Sequence, residues 1–272
     1  MSLEDHDVGP FSAAEIPPPP VPPSLPEIWK ISDLILLILF IPLDLFLSNL
    51  LALAGYLLLR PWVGWRANLT FLSHNVFFLL TLQTIFYVFL LAYLYLMIVV
   101  HYRRPFWAAI RWRRLSLSQA SRFFLGGIAL AFAVLFAPAL FPESKSFPLE
   151  KMFNSPAAAY ALGAFAILVA PFMEELLFRG VLFAFFEKYG GLRFAVVGTA
   201  LLFAGLHVPE YWGAWNHVLL IFVVGITLSL ARGITKSVTP GVILHLAYNA
   251  TLMAILFLQT NQFRGVPGAL RF

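Results

Sequence analysis

Apolar residues run through this chain in blocks rather than at the spacing of an amphipathic soluble helix. Crossing a hydrocarbon core takes about 20 predominantly apolar residues in helical form. Apolar blocks fall at 31–59, 76–100, 123–141, 157–186, 193–207, 217–230 and 242–258, of which the fifth is a shorter block than one crossing needs. The first is long enough to be two shorter or re-entrant pieces. The fourth is longer than one crossing needs and carries Pro171 as an expected bend. The pattern therefore predicts an all-α, polytopic transmembrane helix bundle of about seven to eight spans.

Composition agrees: 61% of the 272 residues are hydrophobic and 11% charged, against about 25% charged in an ordinary soluble domain. Residues 1–28 are acidic and proline-rich, with Pro17 to Pro20, Pro22, Pro23 and Pro26. Such a segment favours polyproline II or disorder and has no core to pack; a solvated tether is expected, with a PxxP ligand as the alternative. It lacks a basic start followed by an apolar run, so it does not read as a cleavable signal peptide. Residues 29–260 form the transmembrane domain, with its polar motifs in 155–258, and 261–272 a short C-terminal tail.

The net charge of +5 does not point to nucleic acid, because the basic residues sit beside apolar blocks. With seven spans, one side holds Lys30, Arg103, Arg104, Arg111, Arg113, Arg114, Arg122, Lys188, Arg193, Arg232 and Lys236. The other holds Arg60, Arg66, Lys145, Lys151, Arg264 and Arg271. The excess of basic residues on the first side places the N-terminus in the cytoplasm of a cell membrane. The chain has no cysteine, which removes disulfides, thiolate nucleophiles and cysteine-held zinc.

Charged residues within a span are expensive, about 2.5–3.5 kcal/mol each on insertion scales, and call for a partner or a function. Asp33 and Asp44 lie in the first block, and three later blocks carry polar groups at helical spacing. In Pro171-Phe-Met-Glu174-Glu175-Leu-Leu-Phe-Arg179-Gly180, Glu175 and Arg179 share a face and suit an ion pair, while Glu174 is rotated about 100° away. Arg179 can thus hold Glu175 and leave Glu174 free. Phe203 and His207 share a face in the shorter block, where Gly205 permits close helix approach, and His245 and Asn249 share one in the last. Each motif alone also fits a bland role, such as snorkelling charges at a helix end or hydrogen bonds between helices.

In order, the three read EExxxR, FxxxH and HxxxN on separate spans. At these residues the chain resembles the CPBP family, the CAAX prenyl endopeptidase and bacteriocin-processing group of membrane proteins. The resemblance covers roughly 155–258 and implies a glutamate-dependent intramembrane endopeptidase whose polar motifs meet in an internal cavity. It implies Glu174 as the base that activates water, with His207 sharing that water and later helping to transfer its proton. His245 and Asn249 would donate to the developing oxyanion, and Glu175, Arg179 and Phe203 would give support. The expected partners are a peptide or lipidated protein substrate and membrane lipid, with no cofactor.

Rival readings use the same residues. Glu174, His207 and His245 supply the His₂Glu ligand set of some hydrolytic zinc sites, although no HExxH is present. A non-catalytic immunity or maturation scaffold would keep the polar cluster for packing, and a transporter would use it as a proton path. Ser155 and Ser229 have no His/Asp partners in sequence to form a triad. His6, His74, His101 and His217 read as loop or interface residues, and Glu210, Asn216 and His217 as a solvated loop. By depth along straight helices, Glu174 and His207 lie level, and His245 is shallower.

Overall fold

The computed structural model describes residues 28–63, 72–137 and 155–263; the proline-rich tail and most of the C-terminal tail lie outside the described residues. Every regular element among the described residues is helical. Among the described residues, six helices are long and apolar enough to cross a membrane.

Helix α1, Ile31–Val63, is one continuous element despite Pro42 and Pro61, so the first block is not divided in two. Its buried positions, Asp33, Leu37, Asp44, Ser48, Ala52 and Tyr56, recur at intervals of four or seven residues and draw a single helical stripe. Most of the rest, including Leu39, Phe46 and Leu58, is exposed apolar surface suited to lipid. Both acidic residues sit on the stripe. Asp33 accepts hydrogen bonds from the Tyr102 hydroxyl and the Lys30 backbone, each at 2.7 Å, while the Ser48 hydroxyl donates to Asp44 at 3.1 Å.

Helix α2, Val76–Tyr95, starts where the Asn75 side chain accepts the Phe78 amide and runs on into a π-helical turn, Leu96–His101. A short turn, Phe106–Ala109, leads to α3, Leu117–Phe136, which opens with a capping box between Ser116 and Gln119. The reciprocal pair satisfies two amides that have no carbonyl partner within the helix. Against the expected span at 123–141, α3 starts earlier, and residues 138–141 lie outside the described part.

Ser155 caps α4, Pro156–Glu175, with Pro156 in the first turn, where a missing N–H is harmless. The helix continues through Pro171 into a second π-helical segment, Leu176–Leu182, closed by the Phe183 amide donating to the Phe178 carbonyl five residues back. Then comes α5, Phe183–His207, which reverses at Gly191 (φ 74°, ψ −178°). Extended in a line, the 52 residues Pro156–His207 would reach about 78 Å, far beyond one bilayer. They double back instead: the Phe186 and Phe194 rings lie 5.2 Å apart, as do those of Phe178 and Phe203. Counting this stretch as two passes gives seven, the lower of the two expected numbers.

Helices α6, Trp215–Thr235, and α7, Thr239–Gln259, close the bundle. The most extensive packing joins α5 to α6 and α3 to α7, with α4 also lying on α7 and on α2. Small residues make these approaches possible. A Cβ at Gly127 would overlap the Leu244 carbonyl, and one at Gly225 would stand 3.1 Å from the Ala200 Cα. Without an apolar driving force between helices in lipid, such close backbone contact is a main source of association. One expectation fails here. Arg232 is not in a turn: it belongs to α6 and is fully buried, so it does not count among loop charges.

Candidate active site

The polar cluster starts at the end of α4. Glu175 and Arg179 are both completely buried, and Arg179 Nη1 donates to Glu175 Oε1 at 2.8 Å. The neighbouring Nη2 donates to the Gly225 carbonyl on α6 at 2.9 Å. The close approach of α5 and α6 that Gly225 permits thus also delivers an acceptor to the arginine. The guanidinium carbon stands 4.8 Å from the centre of the Phe203 ring, a cation–π contact made stronger by desolvation. Leaving such a charge without these partners inside the bundle would be strongly destabilising.

His245, from α7, joins the two glutamates. Its Nδ1 stands 3.2 Å from Glu175 Oε1 and its Nε2 3.8 Å from Glu174 Oε2. Donation from Nδ1 to the carboxylate fixes the ring's orientation and turns Nε2 toward Glu174, as an acid–imidazole pair does in hydrolytic triads. The two adjacent glutamates therefore differ in kind. Glu175 is enclosed and bonded to a cation and an imidazole. Glu174 has no arginine bond, and 23% of its side chain remains accessible. The rotation of one residue along the helix separates them, as the sequence predicts.

On α5, His207 Nδ1 lies 2.8 Å from the Phe203 carbonyl, so that nitrogen donates and Nε2 is left for other work. The Phe203 ring sits between the two imidazoles, with centroids 4.9 Å from His207 and 5.8 Å from His245. His207 and His245 are both within electrostatic reach of Glu174. Glu174, Glu175, Arg179, Phe203, His207 and His245 are thus brought together from α4, the π-helical segment that follows it, α5 and α7.

Asn249 is engaged differently. Its Nδ2 donates to the Ala166 carbonyl on α4 at 2.7 Å, next to the Ile167 carbonyl that Pro171, lacking an N–H, cannot serve. This ties α7 to α4 about two turns before Glu174. The depth estimate for His245 is also corrected. It is level with Glu174, whose Oε2 its Nε2 approaches to 3.8 Å, and Pro240 lies in the first turn of α7.

Glycine-241 is part of this packing and carries no signature in sequence. Glu175 Oε2 is buried with no hydrogen-bond partner among the described residues, and a Cβ at position 241 would stand 2.5 Å from it. Only a glycine admits this carboxylate against α7. Among the described residues no three His, Cys, Asp or Glu side chains are gathered so as to hold a metal ion, which includes the Glu174, His207 and His245 set of the zinc reading.

Beyond the end of α5, Glu210 is half-buried rather than freely solvated. Burial pushes its carboxyl above the usual carboxylate range, opposed by His207 and by a hydrogen bond from the Tyr211 hydroxyl. Asn216 and His217, expected in the same loop, stand instead in the first turn of α6, where Asn216 Oδ1 and His217 Nδ1 lie 3.0 Å apart.

Residues 156–251 match a family model described as Type II CAAX prenyl endopeptidase Rce1-like. The matched segment spans α4 to most of α7 and includes every motif residue named above. No curated protein and no solved structure matches the chain.

Proposed function

We propose that this chain, whose residues 156–251 belong to the type II CAAX prenyl endopeptidase Rce1-like family of CPBP proteins, is a glutamate-dependent intramembrane endopeptidase. The family is one of membrane proteases, and six apolar helices make the chain an integral membrane protein. The substrate class that fits is a membrane-proximal or lipid-tethered peptide, delivered laterally to a site within the bundle.

The observation that carries this reading is the bridging position of His245 between two unlike carboxylates. Glu174, accessible and without an arginine bond, takes a proton from a water molecule as its oxygen attacks the scissile carbonyl carbon. His207 Nε2 is free to share that water. In its doubly protonated form His245 keeps Nδ1–H on Glu175 and can aim Nε2–H at the developing oxyanion. Removing one such donor from an oxyanion site in other hydrolases costs about 3 kcal/mol of transition-state stabilisation. As the C–N bond breaks, the proton held by Glu174 passes to the departing amine, directly or through His207. The carboxylate is restored, and no covalent acyl-enzyme forms. Glu175, Arg179 and Phe203 act as positioning residues for His245, and Asn249 holds α4 against α7 around the site.

The basic end of the bundle is assigned to the cytoplasm of the cell membrane, which puts the N-terminus there as well. Purified protein supplied with quenched peptides, with and without a lipid anchor, tests the activity. Turnover that disappears in Glu174→Ala while the helical signal persists is the expected result; full turnover in that variant would overturn it. A non-catalytic scaffold would instead show no turnover in the wild type under any condition.

A further inference from the structure

The chain keeps a helical path past the end of α5. The Val208 backbone is right-handed helical (φ −55°, ψ −43°), and the Tyr211 amide donates to the His207 carbonyl at 3.1 Å. That is the bond of one further helical turn. Phe203, His207 and Glu210 therefore stand at i, i+4 and i+7, which is a single stripe along the helix. The first two members of the stripe face the catalytic cluster, with Phe203 against Arg179 and both imidazoles. Residues three apart on such a turn are neighbours, about 5–6 Å between Cβ atoms, so Glu210 lies beside His207 at the outer end of the stripe.

The surroundings of Glu210 belong to the same site. His207 and Glu174 both act on its charge, and the Tyr211 hydroxyl bonds to it. From α7, Tyr248 is within electrostatic reach of Tyr211, and its ring lies 6.5 Å from that of His245. Tyr211 and Tyr248 thus join the outer edge of the α5 stripe to the imidazole on α7.

Glu210 differs from the other glutamates in its lack of a base. Glu175 meets Arg179 at 2.8 Å, and Glu187 meets Lys236 at 2.6 Å. Half-buried Glu210 has neither a lysine nor an arginine beside it among the described residues. A partly desolvated carboxylate without a basic partner is held at some energetic expense. Burial already pushes this carboxyl above the usual carboxylate range, and a cation brought to it would favour the charged form again.

Resting on the endopeptidase reading, we propose that Glu210 is a specificity residue that selects substrates with a lysine or arginine close to the scissile bond. An extended peptide advances about 3.3 Å per residue and turns every second side chain to the same face. A basic side chain about two residues from the bond under attack at His207 therefore falls opposite Glu210. There its ammonium or guanidinium donates a charge-assisted hydrogen bond to the carboxylate. Glu210 itself takes no part in the proton transfers.

The test uses the full-length protein in neutral detergent and quenched, lipid-anchored peptides that carry Lys, Gln or Glu in turn at each position around the cleaved bond. Two quantities are read for each peptide, kcat/KM and affinity by fluorescence anisotropy. At one position Lys is expected to exceed Gln about tenfold, the lower end for a hydrogen bond to a charged group, with Glu below both. Glu210→Gln should bring the Lys and Gln peptides to parity, Glu210→Lys should favour the Glu peptide, and Glu210→Asp should keep part of the original preference. Should the charge-changing variants fail to fold, salt decides on the wild type, where rising ionic strength must erode the preference for Lys. Parity of Lys and Gln at every position in the wild type, or a preference untouched by Glu210→Gln or by salt, would overturn the proposal. Absence of turnover with every peptide would instead sink the endopeptidase reading, and the anisotropy ratios would still decide this one.

Discussion

The first three helices and the last four solve the same problem in different ways. In α1 to α3, polar side chains mostly bond within their own helix. Ser48 donates to Asp44, and the hydroxyls of Thr81 and Thr84 donate to carbonyls four residues back. In α4 to α7, polar side chains reach across the bundle: Arg179 to Gly225, Arg232 to Arg179, His245 to Glu175 and Asn249 to Ala166. Burial follows the same division. The most apolar window of α1 is 17% buried, against 39% for both Pro156–His207 and α6 and 22% for α7. The first region presents itself to lipid, and the second encloses a polar centre that lipid cannot serve. Charge is tolerated in the second region because its partners come from other helices, which makes it the region where one substitution has far-reaching effects.

Breaking the central ion pair should have the largest effect on this contrast. Arg179→Ala leaves Glu175 buried with only His245, and the expected loss is about 3–5 kcal/mol of stability, read as a steep fall in thermal midpoint. Thr81→Ala, on an exposed self-bonded position of α2, serves as the matched control and should stay within about 0.5 kcal/mol. An equal fall in both would erase the distinction. Gly241→Ala falls between them. Its new methyl would stand 2.5 Å from Glu175 Oε2, so α7 or the carboxylate must shift, at about 1–3 kcal/mol. A neutral outcome there would mean that α7 does not hold Glu175 closely.

Much of this organisation is legible in the chain because its determinants are local. Apolar block length fixes the spans, and i, i+4 spacing puts Glu175 beside Arg179 and separates Glu174 from both. The Gly190–Gly191 pair marks the reversal that divides the 52-residue stretch. Other features depend on partners remote in sequence and leave no local mark. Arg232 resembles a loop charge until α6 is seen to carry it inward against Phe183 and the Arg179 carbonyl. Asn249 falls in the same motif as His245, yet its amide serves a carbonyl 83 residues away. Nor does any residue pattern announce the π-helical segment at 176–182, although such segments often occur at functional sites. Depth counting misplaced His245 because it treats helices as straight and parallel rods. The spread it gave closes once α4 and α7 pack on each other.

The account rests on a division of labour between two adjacent carboxylates. The most direct test measures peptide turnover and thermal midpoint side by side for Glu174→Gln and Glu175→Gln. Turnover lost in Glu174→Gln with the midpoint near wild type, and a midpoint clearly lowered in Glu175→Gln, is the predicted pair of results. Turnover that survives Glu174→Gln, or a Glu175→Gln protein as stable as the wild type, would contradict it.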